Sequence, residues 1–366
     1  MPRLDLSASA RDLTQTLCDV ESVSGNEAAL ADAIEHALAD AAHLEVARIG
    51  NTVIARTNLG RESRVVIAGH IDTVPVNENL PTRVVDGWLW GRGTVDMKAG
   101  VAVQLALAAQ VAEPVVDVTW IWYDNEEVDA ELNGLRLVAE ARPELLVGDF
   151  AILGEPTSGE VEGGCNGTLR ASVRLRGVRA HSARSWVGVN AIHAAAPVLA
   201  TLADYVPADV EVDGLVYREG LNAVAISGGV AGNVVPDECV VTVNYRFAPS
   251  TDAAAALAHV EQVFDGHEVT LLDVAEGARP GLDHPAVQRF LRDVDATAKP
   301  KYGWTDVARF SGLGIPAVNY GPGDPLLAHA DDERVELAEV DAVERRLRAW
   351  LTGSGRGSSG AALGRA

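Results

Sequence analysis

The stretch that decides the fold reads Val65-Val66-Ile67-Ala68-Gly69-His70-Ile71-Asp72-Thr73-Val74-Pro75. Its apolar run predicts a buried strand, and the strand ends in a His-x-Asp pair. Open α/β sheets bind ligands at the carboxyl ends of their strands, so this pair lies where a site would form. His70 could bind a metal ion while Asp72 accepts a hydrogen bond from the other ring nitrogen. By itself, such a pair is more often part of an ordinary loop.

Apolar strands and helices alternate on both sides of this segment, which predicts an α/β fold. The helix expected at 97–112 is too apolar to be exposed and should pack on a sheet. The other elements predicted here are a first helix, a second helix at 26–42, strands at 51–57, 115–123, 149–153 and 316–320, and a helix at 284–298.

The pattern changes between residues 168 and 276. The predicted order there is a strand at 168–177, a helix at 189–205, strands at 222–230 and 239–247, a helix at 251–264 and a strand at 267–274. This βαββαβ order is a split-βαβ (ferredoxin-like) unit with its own core. It predicts an inserted domain at 168–276 and a first domain made of 1–167 and 277–352. The tail at 353–366 is rich in Gly, Ser and Ala and is expected to be disordered.

The chain has 366 residues and a formal net charge of −22. This charge disfavours nucleic acid and anionic membranes as partners. No signal-peptide core or long apolar span is found, so the chain is expected to be soluble and cytoplasmic. The cysteines Cys18, Cys165 and Cys239 are few and far apart, and we expect them to be buried and reduced.

A second polar cluster precedes the apolar helix, in Gly91-Arg92-Gly93-Thr94-Val95-Asp96-Met97-Lys98. Asp96 could reach a cation bound at the strand ends. A lone acid here would more often be a helix cap or a first-turn residue. The two glycines do not complete a dinucleotide fingerprint, because the third glycine and the preceding strand are missing.

Further acids and a histidine follow other predicted strands. Glu126 and Glu127 come after the strand at 115–123, Glu155 follows the strand at 149–153, and His329 lies beyond the strand at 316–320. An isolated Glu-Glu pair would usually be a solvated loop. Together, two histidines and several carboxylates at strand ends predict a site for two cations, and such nitrogen and oxygen ligands suit zinc, cobalt or manganese.

These motifs, with Asn125-Glu126-Glu127, Gly154-Glu155-Pro156-Thr157 and Ala328-His329-Ala330-Asp331-Asp332-Glu333, resemble the aminoacylase-like di-zinc metallopeptidase family. The resemblance implies a mixed sheet flanked by helices and two divalent ions, with zinc favoured and cobalt as the alternative. It implies that Asp96 bridges the ions, that His70 and Glu155 complete one site, and that Glu127 and His329 complete the other. Glu126 would be the general base and Asp72 the partner of His70. The Asp96–Met97 peptide is expected to be cis.

By the same resemblance, the inserted domain is a lid and dimerisation domain. His181, in Ala180-His181-Ser182-Ala183, matches a histidine that reaches into the active site of the partner subunit and stabilises the oxyanion. Arg246 and Asn233 match lid positions that hold a substrate carboxylate and polar groups. A homodimer is therefore expected.

The segments 303–310 and 320–324 are most similar to the branch of high-GC Gram-positive bacteria that hydrolyses N-succinyl-L,L-diaminopimelate to succinate and L,L-diaminopimelate, in lysine and diaminopimelate biosynthesis. Thr305, Arg309 and Gly321 are the further substrate-binding candidates. The chain has Gly232 where an Asn is common and Cys165-Asn166 where arginines occur, so Arg309 or Arg179 is expected to supply the positive charge that an N-acyl amino acid with several carboxylates requires. The alternatives are an acetylornithine deacetylase, an aminoacylase or a dipeptidase, and, more remotely, a non-catalytic metal-binding relative.

Overall fold

The computed structural model describes residues 2–354, so most of the tail predicted to be disordered lies outside the described residues. The α-helices are α1 (Ala10–Cys18), α2 (Ala28–Leu38), α3 (Lys98–Gln110), α4 (Gly134–Ala141), α5 (Ala196–Ala203), α6 (Ala253–Val263), α7 (Pro285–Val294), α8 (Val307–Gly312) and α9 (Leu337–Thr352). The strands are β1 (Glu45–Ile49), β2 (Thr52–Arg56), β3 (Arg64–His70), β4 (Arg83–Val85), β5 (Trp88–Trp90), β6 (Asp117–Tyr123), β7 (Phe150–Leu153), β8 (Val161–Gly163), β9 (Gly167–Arg176), β10 (Ala180–His181), β11 (Asp209–Val212), β12 (Leu215–Arg218), β13 (Gly220–Gly228), β14 (Val234–Val235), β15 (Glu238–Phe247), β16 (Glu268–Ala275), β17 (Ala298–Pro300), β18 (Ala317–Asn319) and β19 (Arg334–Glu336).

The chain forms two compact units. The first spans Met1–Gly163, Gly281–Lys299 and Arg309–Ala366, as far as those ranges are described, and the second spans Gly164–Pro280 and Pro300–Ala308.

An eight-stranded mixed sheet, in the order β1-β2-β6-β3-β7-β18-β8-β17, forms the centre of the first unit. Strands β6, β3, β7 and β18 are parallel neighbours, while β1, β2 and β8 pair in the antiparallel sense. Strand β3 is buried from Val65 to His70 because the sheet is covered on both faces. The predicted α/β class with a mixed sheet is confirmed.

Helix α3 packs on β3 and against α1 and α9, and residues 98–108 of it are buried. This explains its mostly apolar sequence, because residues 98–108 present no face of the helix to water.

A small three-stranded sheet, in the order β19-β5-β4, also lies in the first unit. It pairs Arg334 with Trp90 in antiparallel register. The pairing holds the chain that precedes β19 beside the chain that follows β5.

The second unit contains an antiparallel sheet in the order β13-β15-β9-β16. Helix α6 packs on β9, β15 and β16, and α5 packs on β13, around a core that includes Leu169, Val243, Phe247 and Val260. The helical and strand order of the inserted segment matches the expected βαββαβ pattern, with the β11–β12 and β10–β14 pairs added to it.

Three predicted helix boundaries were wrong. The helix expected to reach residue 42 is α2, which ends at Leu38. The helix expected at 189–205 is α5, which starts only at Ala196, after a bridge between Val189 and Val178 and a 3₁₀ turn at His193–Ala195. The helix expected to reach residue 298 ends at Val294, because Asp295 adopts a left-handed conformation with φ 53°.

The three cysteines are buried and free, as predicted. No helix within residues 2–354 is long and apolar enough to cross a membrane.

Candidate metal centre

The four parallel strands of the first unit end at the same edge of the sheet. Strand β3 ends at His70, and β6 pairs with it in a register that places Tyr123 opposite His70. Asp124, Asn125, Glu126 and Glu127 follow β6 directly, so the sheet places the Glu-Glu pair beside the His-x-Asp pair.

Asp96 lies between two histidines. Its Oδ1 is 3.1 Å from Nε2 of His70, and its Oδ2 is 3.3 Å from Nε2 of His329. It does not cap α3, because the helix is preceded by Met97 and has no side-chain cap. Each oxygen of this carboxylate therefore faces a different imidazole, an arrangement that a bridging ligand requires.

His329 also contacts Glu127, whose Oε1 is 2.9 Å from Nε2 of the imidazole. His329 has a left-handed backbone, with φ 64°, and its side chain is half exposed. One nitrogen of His329 is thus within 3.3 Å of two carboxylates, those of Asp96 and Glu127. Ligand atoms of His70, Asp96 and Glu127 all lie within 4.8 Å of one another.

Asp72 links the two segments that carry these groups. Its Oδ1 accepts the backbone N–H of Glu126 at 3.0 Å, and its Oδ2 accepts that of Glu127 at 3.1 Å. Nδ1 of His70 is 3.0 Å from the backbone oxygen of Asp72 and 3.4 Å from its Oδ1. Asp72 orients the imidazole partly through its main chain, and its carboxylate also fixes the Glu-Glu loop.

Glu155 follows β7, which is the other parallel neighbour of β3. The register pairs Ala68 with Leu153. Glu155 follows Leu153 at the same spacing at which His70 follows Ala68, so both side chains lie at the same edge of the sheet. The segment is held by Gly321, whose N–H donates to Oγ1 of Thr157 at 3.1 Å. A Cβ at Gly321 would lie 2.4 Å from the carbonyl oxygen of Gly154, so only glycine allows this approach.

The electrostatics of the cluster favour positive charge. Hydrogen bonds that His329 donates to Asp96 and, with a smaller effect, to Glu127 raise the pKa of His329 to about 10, although burial acts in the opposite direction. Burial would lower the pKa of His70, but hydrogen bonds to Asp72 and Asp96 outweigh it and raise that pKa well above its usual value. Burial would raise the pKa of Asp96, and the two histidines lower it instead. A site whose carboxylates hold protons on both imidazoles would also stabilise bound cations.

The donor set fits divalent metal ions. Imidazole nitrogen and carboxylate oxygen converge on Asp96 with no thiolate nearby among the described residues, since the three cysteines are buried elsewhere and free. Such ligands are typical of zinc, cobalt and manganese sites that carry out hydrolysis.

In the second unit, β10 and β14 bring two of the predicted lid residues together. His181 pairs with Val234, and the N–H of Ser182 donates to the backbone oxygen of Asn233 at 2.9 Å. Nδ1 of His181 accepts the N–H of Ala183 at 3.1 Å. The neutral ring therefore carries its hydrogen on Nε2, which can act as a donor.

Arg246 lies on β15, half-buried, and its Nε donates to Oδ1 of Asn244 at 3.1 Å. Burial lowers the pKa of its guanidinium. Thr305 is buried in the second unit, whereas Arg309 lies on the part of α8 that belongs to the first unit. Arg179 forms an ion pair with Asp237 at 2.9 Å.

The sequence profile of Peptidase family M20/M25/M40 matches residues 66–352. The chain belongs to this family. Its members are metal-dependent hydrolases.

Two relatives resemble the chain over almost its whole length. A Mycobacterium tuberculosis protein, provisionally named succinyl-diaminopimelate desuccinylase DapE, is 53% identical over 353 residues, which cover 96% of this chain and 100% of the relative. The succinyl-diaminopimelate desuccinylase of Corynebacterium glutamicum is 47% identical over 362 residues, covering 96% and 98%.

Among solved structures, a tripeptidase from Staphylococcus aureus superposes with a TM-score of 0.76 at 20% identity, covering 95% of this chain and 98% of the tripeptidase. At this identity the match establishes the fold alone. The predicted peptidase-like fold of the M20 family is thus confirmed. The predicted cis peptide between Asp96 and Met97 is also confirmed.

Sequence reasoning missed several residues that support the centre in this M20 chain. Ser24 donates to Oδ2 of Asp72 at 2.7 Å, and Glu333 accepts the N–H of Val95 and Asp96 at 2.9 and 3.2 Å. The spacing Ser24-Gly25-Asn26-Glu27 is that of a helix capping box, so the sequence signal there indicates a helix start rather than a support for a site. Glu333 belongs to the motif that contains His329, but no local pattern indicated which groups its carboxylate would bind.

Proposed function

We propose that this chain hydrolyses the amide of N-succinyl-L,L-diaminopimelate to succinate and L,L-diaminopimelate, as a cytoplasmic enzyme of lysine and diaminopimelate biosynthesis. The observation that carries the proposal is the 47% identity with the Corynebacterium glutamicum desuccinylase across 96% of this chain and 98% of the relative. The fold by itself would not choose a substrate, because the tripeptidase shares it at 20% identity.

Two divalent ions fit the donor set, with zinc favoured over cobalt. His70 and Glu155 would hold one ion, Glu127 and His329 would hold the other, and Asp96 would be shared by both. The two oxygens of Asp96, at 3.1 and 3.3 Å from different imidazoles, support this division. When bound, the ions would supply Lewis acidity to the substrate carbonyl and to the attacking water.

Glu126 is the proposed general base. Its backbone is fixed by the hydrogen bond to Asp72, and its side chain is partly exposed at the end of β6. It would remove a proton from the attacking water and deliver that proton to the departing amine nitrogen of diaminopimelate. The amide bond breaks as this nitrogen is protonated.

His181 is the proposed donor to the oxyanion. Its Nδ1 is already an acceptor for Ala183, so Nε2–H is the atom that can donate to a substrate oxygen. The side chain is exposed on its own protomer, which supports a role in the site of a second copy. The proposed enzyme is therefore a homodimer.

The dimer would form through the edge strand β13. Residues 220–228 contain no charged side chain, and Val224 and Ile226 are 56% and 52% exposed. The opposite edge strand, β16, carries Glu268 and Asp273, which pair with arginines of β9. Charged side chains protect an edge from pairing, so β13 is the edge left open to a second copy.

The substrate carries several carboxylates, and the protein has a net charge of −22, so binding requires local positive charge. Arg246 is the proposed carboxylate ligand, with Arg309 as a second cation. Asn233, Thr305 and Gly321 are proposed to supply polar contacts.

The test is a substrate panel with zinc-reconstituted enzyme. N-succinyl-L,L-diaminopimelate, acetylornithine, an N-acylated amino acid and dipeptides are compared by release of free amine. We expect kcat/KM to be highest for the succinylated substrate, by a factor of about 10² or more, since a site built to bind a polar group discriminates strongly against substrates that lack it. A higher kcat/KM for any other member of the panel would overturn the proposal.

A further inference from the structure

We propose that Arg92 and Glu333 form a buried clamp that positions the bridging Asp96 and joins the segments carrying the metal ligands. Both are positioning residues, since neither is a ligand or a proton carrier in the mechanism. The inference rests on the proposed function only in assuming that divalent ions bind at Asp96.

The carboxylate of Glu333 holds the backbone on which Asp96 sits. Its Oε1 accepts the N–H of Val95 at 2.9 Å and the N–H of Asp96 at 3.2 Å. A carboxylate that accepts two successive N–H groups fixes the direction of that peptide segment and hence of the next side chain. The backbone oxygen of Glu333 also accepts the N–H of Gly91 at 2.9 Å.

Arg92 extends the clamp to two further segments. Its Nη1 donates to Oε2 of Glu333 at 2.7 Å and is 3.3 Å from the backbone oxygen of Ala330, next to His329. Its Nε donates to the backbone oxygen of Pro75 at 3.2 Å, in the segment that begins with His70. Arg92 lies in the segment that carries Asp96, so its guanidinium joins that segment to the two that carry His70 and His329.

Burial makes the pair rigid and hard to replace. The side chain of Arg92 is 4% exposed and that of Glu333 is 1% exposed. Removing one member of such a pair leaves the other charge buried without a counter-ion. The planar, forked guanidinium can satisfy several acceptors at fixed angles, which an ammonium cannot do.

The chain offers a matched control at the opposite end of the sheet. Asp117, at the start of β6, also accepts backbone N–H groups, from Leu59 at 2.8 Å and Arg61 at 2.9 Å. It lies 3.9 Å from the guanidinium of Arg64, and its side chain is 6% exposed. Asp117 thus resembles Glu333 in its burial and in accepting two backbone N–H groups, but it lies at the end of β6 opposite to the Glu126–Glu127 loop.

The experiment compares Glu333→Gln with Asp117→Asn in the full-length protein. Zinc affinity is measured by competition with a chromophoric chelator, and thermal unfolding is followed after zinc removal. We expect both variants to unfold at a lower temperature, but only Glu333→Gln to bind zinc about 10- to 100-fold more weakly, as changes to groups that support metal ligands do. Its kcat should fall more than its KM rises.

Unchanged zinc affinity in Glu333→Gln, or an equal loss in Asp117→Asn, would overturn the clamp. Should Glu333→Gln fail to fold, Arg92→Lys decides, because lysine keeps the charge beside Glu333 but cannot reach both Pro75 and Ala330. We expect that variant to fold and to bind zinc more weakly, and wild-type affinity would refute the inference. Hydrolysis of a different amide by the wild-type enzyme would refute the proposed function but leave the zinc comparison intact.

Discussion

The two carboxylate oxygens of Asp96 face different histidines, His70 and His329. Neither the helix that follows it nor the loop that precedes it requires an acid at this position, because α3 has no side-chain cap. The two imidazole contacts at 3.1 and 3.3 Å give the acid its role. A carboxylate in this position can be shared by two cations.

The adjacent Glu126 and Glu127 should be separable by mutation. We expect Glu126→Gln to lower kcat by about 10²- to 10⁴-fold, because an amide cannot accept the proton that a general base removes. Its metal content should equal that of the wild type, because Glu126 is not among the proposed ligands. Turnover with N-succinyl-L,L-diaminopimelate and metal analysis of the purified variant measure the two effects.

The control for this prediction is Glu127→Gln. Oε1 of Glu127 is 2.9 Å from Nε2 of His329, so this change should reduce both metal content and turnover. Activity near the wild-type level in Glu126→Gln would contradict the role of general base.

The sequence predicted that Asp72 and His70 lie together, but it did not predict all of the hydrogen bonds that Asp72 accepts. The His-x-Asp spacing predicted that Asp72 partners His70. Its hydrogen bonds to Ser24, 48 residues away, and to the N–H of Glu126, 54 residues away, could not be predicted. The contact with Glu126 depends on the pairing of β3 with β6, and the contact with Ser24 depends on the bridge between Val23 and Thr73.

At the level of elements, the edge of β13 lacks protecting charges. This edge strand has no charge along it, and its apolar side chains are exposed. An unprotected edge is a template for pairing with another strand.

We expect Ile226→Lys to shift the protein from dimer to monomer, because a charge on this edge opposes pairing with a second copy. The same change should reduce kcat, since His181 would no longer be supplied to the site of a partner. Sedimentation velocity and steady-state turnover measure the two effects. The control is Leu272→Lys on the opposite edge strand β16, where Leu272 is 53% exposed, and we expect it to remain dimeric. A dimeric, fully active Ile226→Lys would contradict the proposed interface.

Element types were predicted more reliably than element ends. The fully buried β3 and the apolar α3 followed directly from their patterns, because both pack on every side. The start of α5 and the end of α7 did not, since a strand bridge at Val189 and the left-handed Asp295 set them. The β11–β12 hairpin was not predicted.

For the whole molecule, the acidic cluster implies that metal binding and stability are coupled. Any ion that binds only the folded state stabilises it by about 2.7 kcal/mol at a concentration 100 times the dissociation constant. We expect a chelator to lower the unfolding temperature by several degrees and added zinc to restore it.

Scanning calorimetry of the full-length protein measures this shift, and Asp96→Ala is the control. That variant lacks the shared ligand, so zinc should change its unfolding temperature little. If zinc does not change the unfolding temperature of the wild-type protein, the result would contradict a metal centre in the first unit.

The sequence by itself determined the fold class, the family resemblance, and the residues expected to form the centre: His70, Asp96, Glu126, Glu127, Glu155 and His329. It could do so because strand patterns and ligand types are local properties of the chain. Only the tertiary structure decided that each oxygen of Asp96 faces a different histidine, that Asp72 holds the Glu126–Glu127 backbone, and that Arg92 and Glu333 connect three segments. These arrangements depend on strand register and on the approach of residues up to 241 positions apart, and no local pattern records such distances.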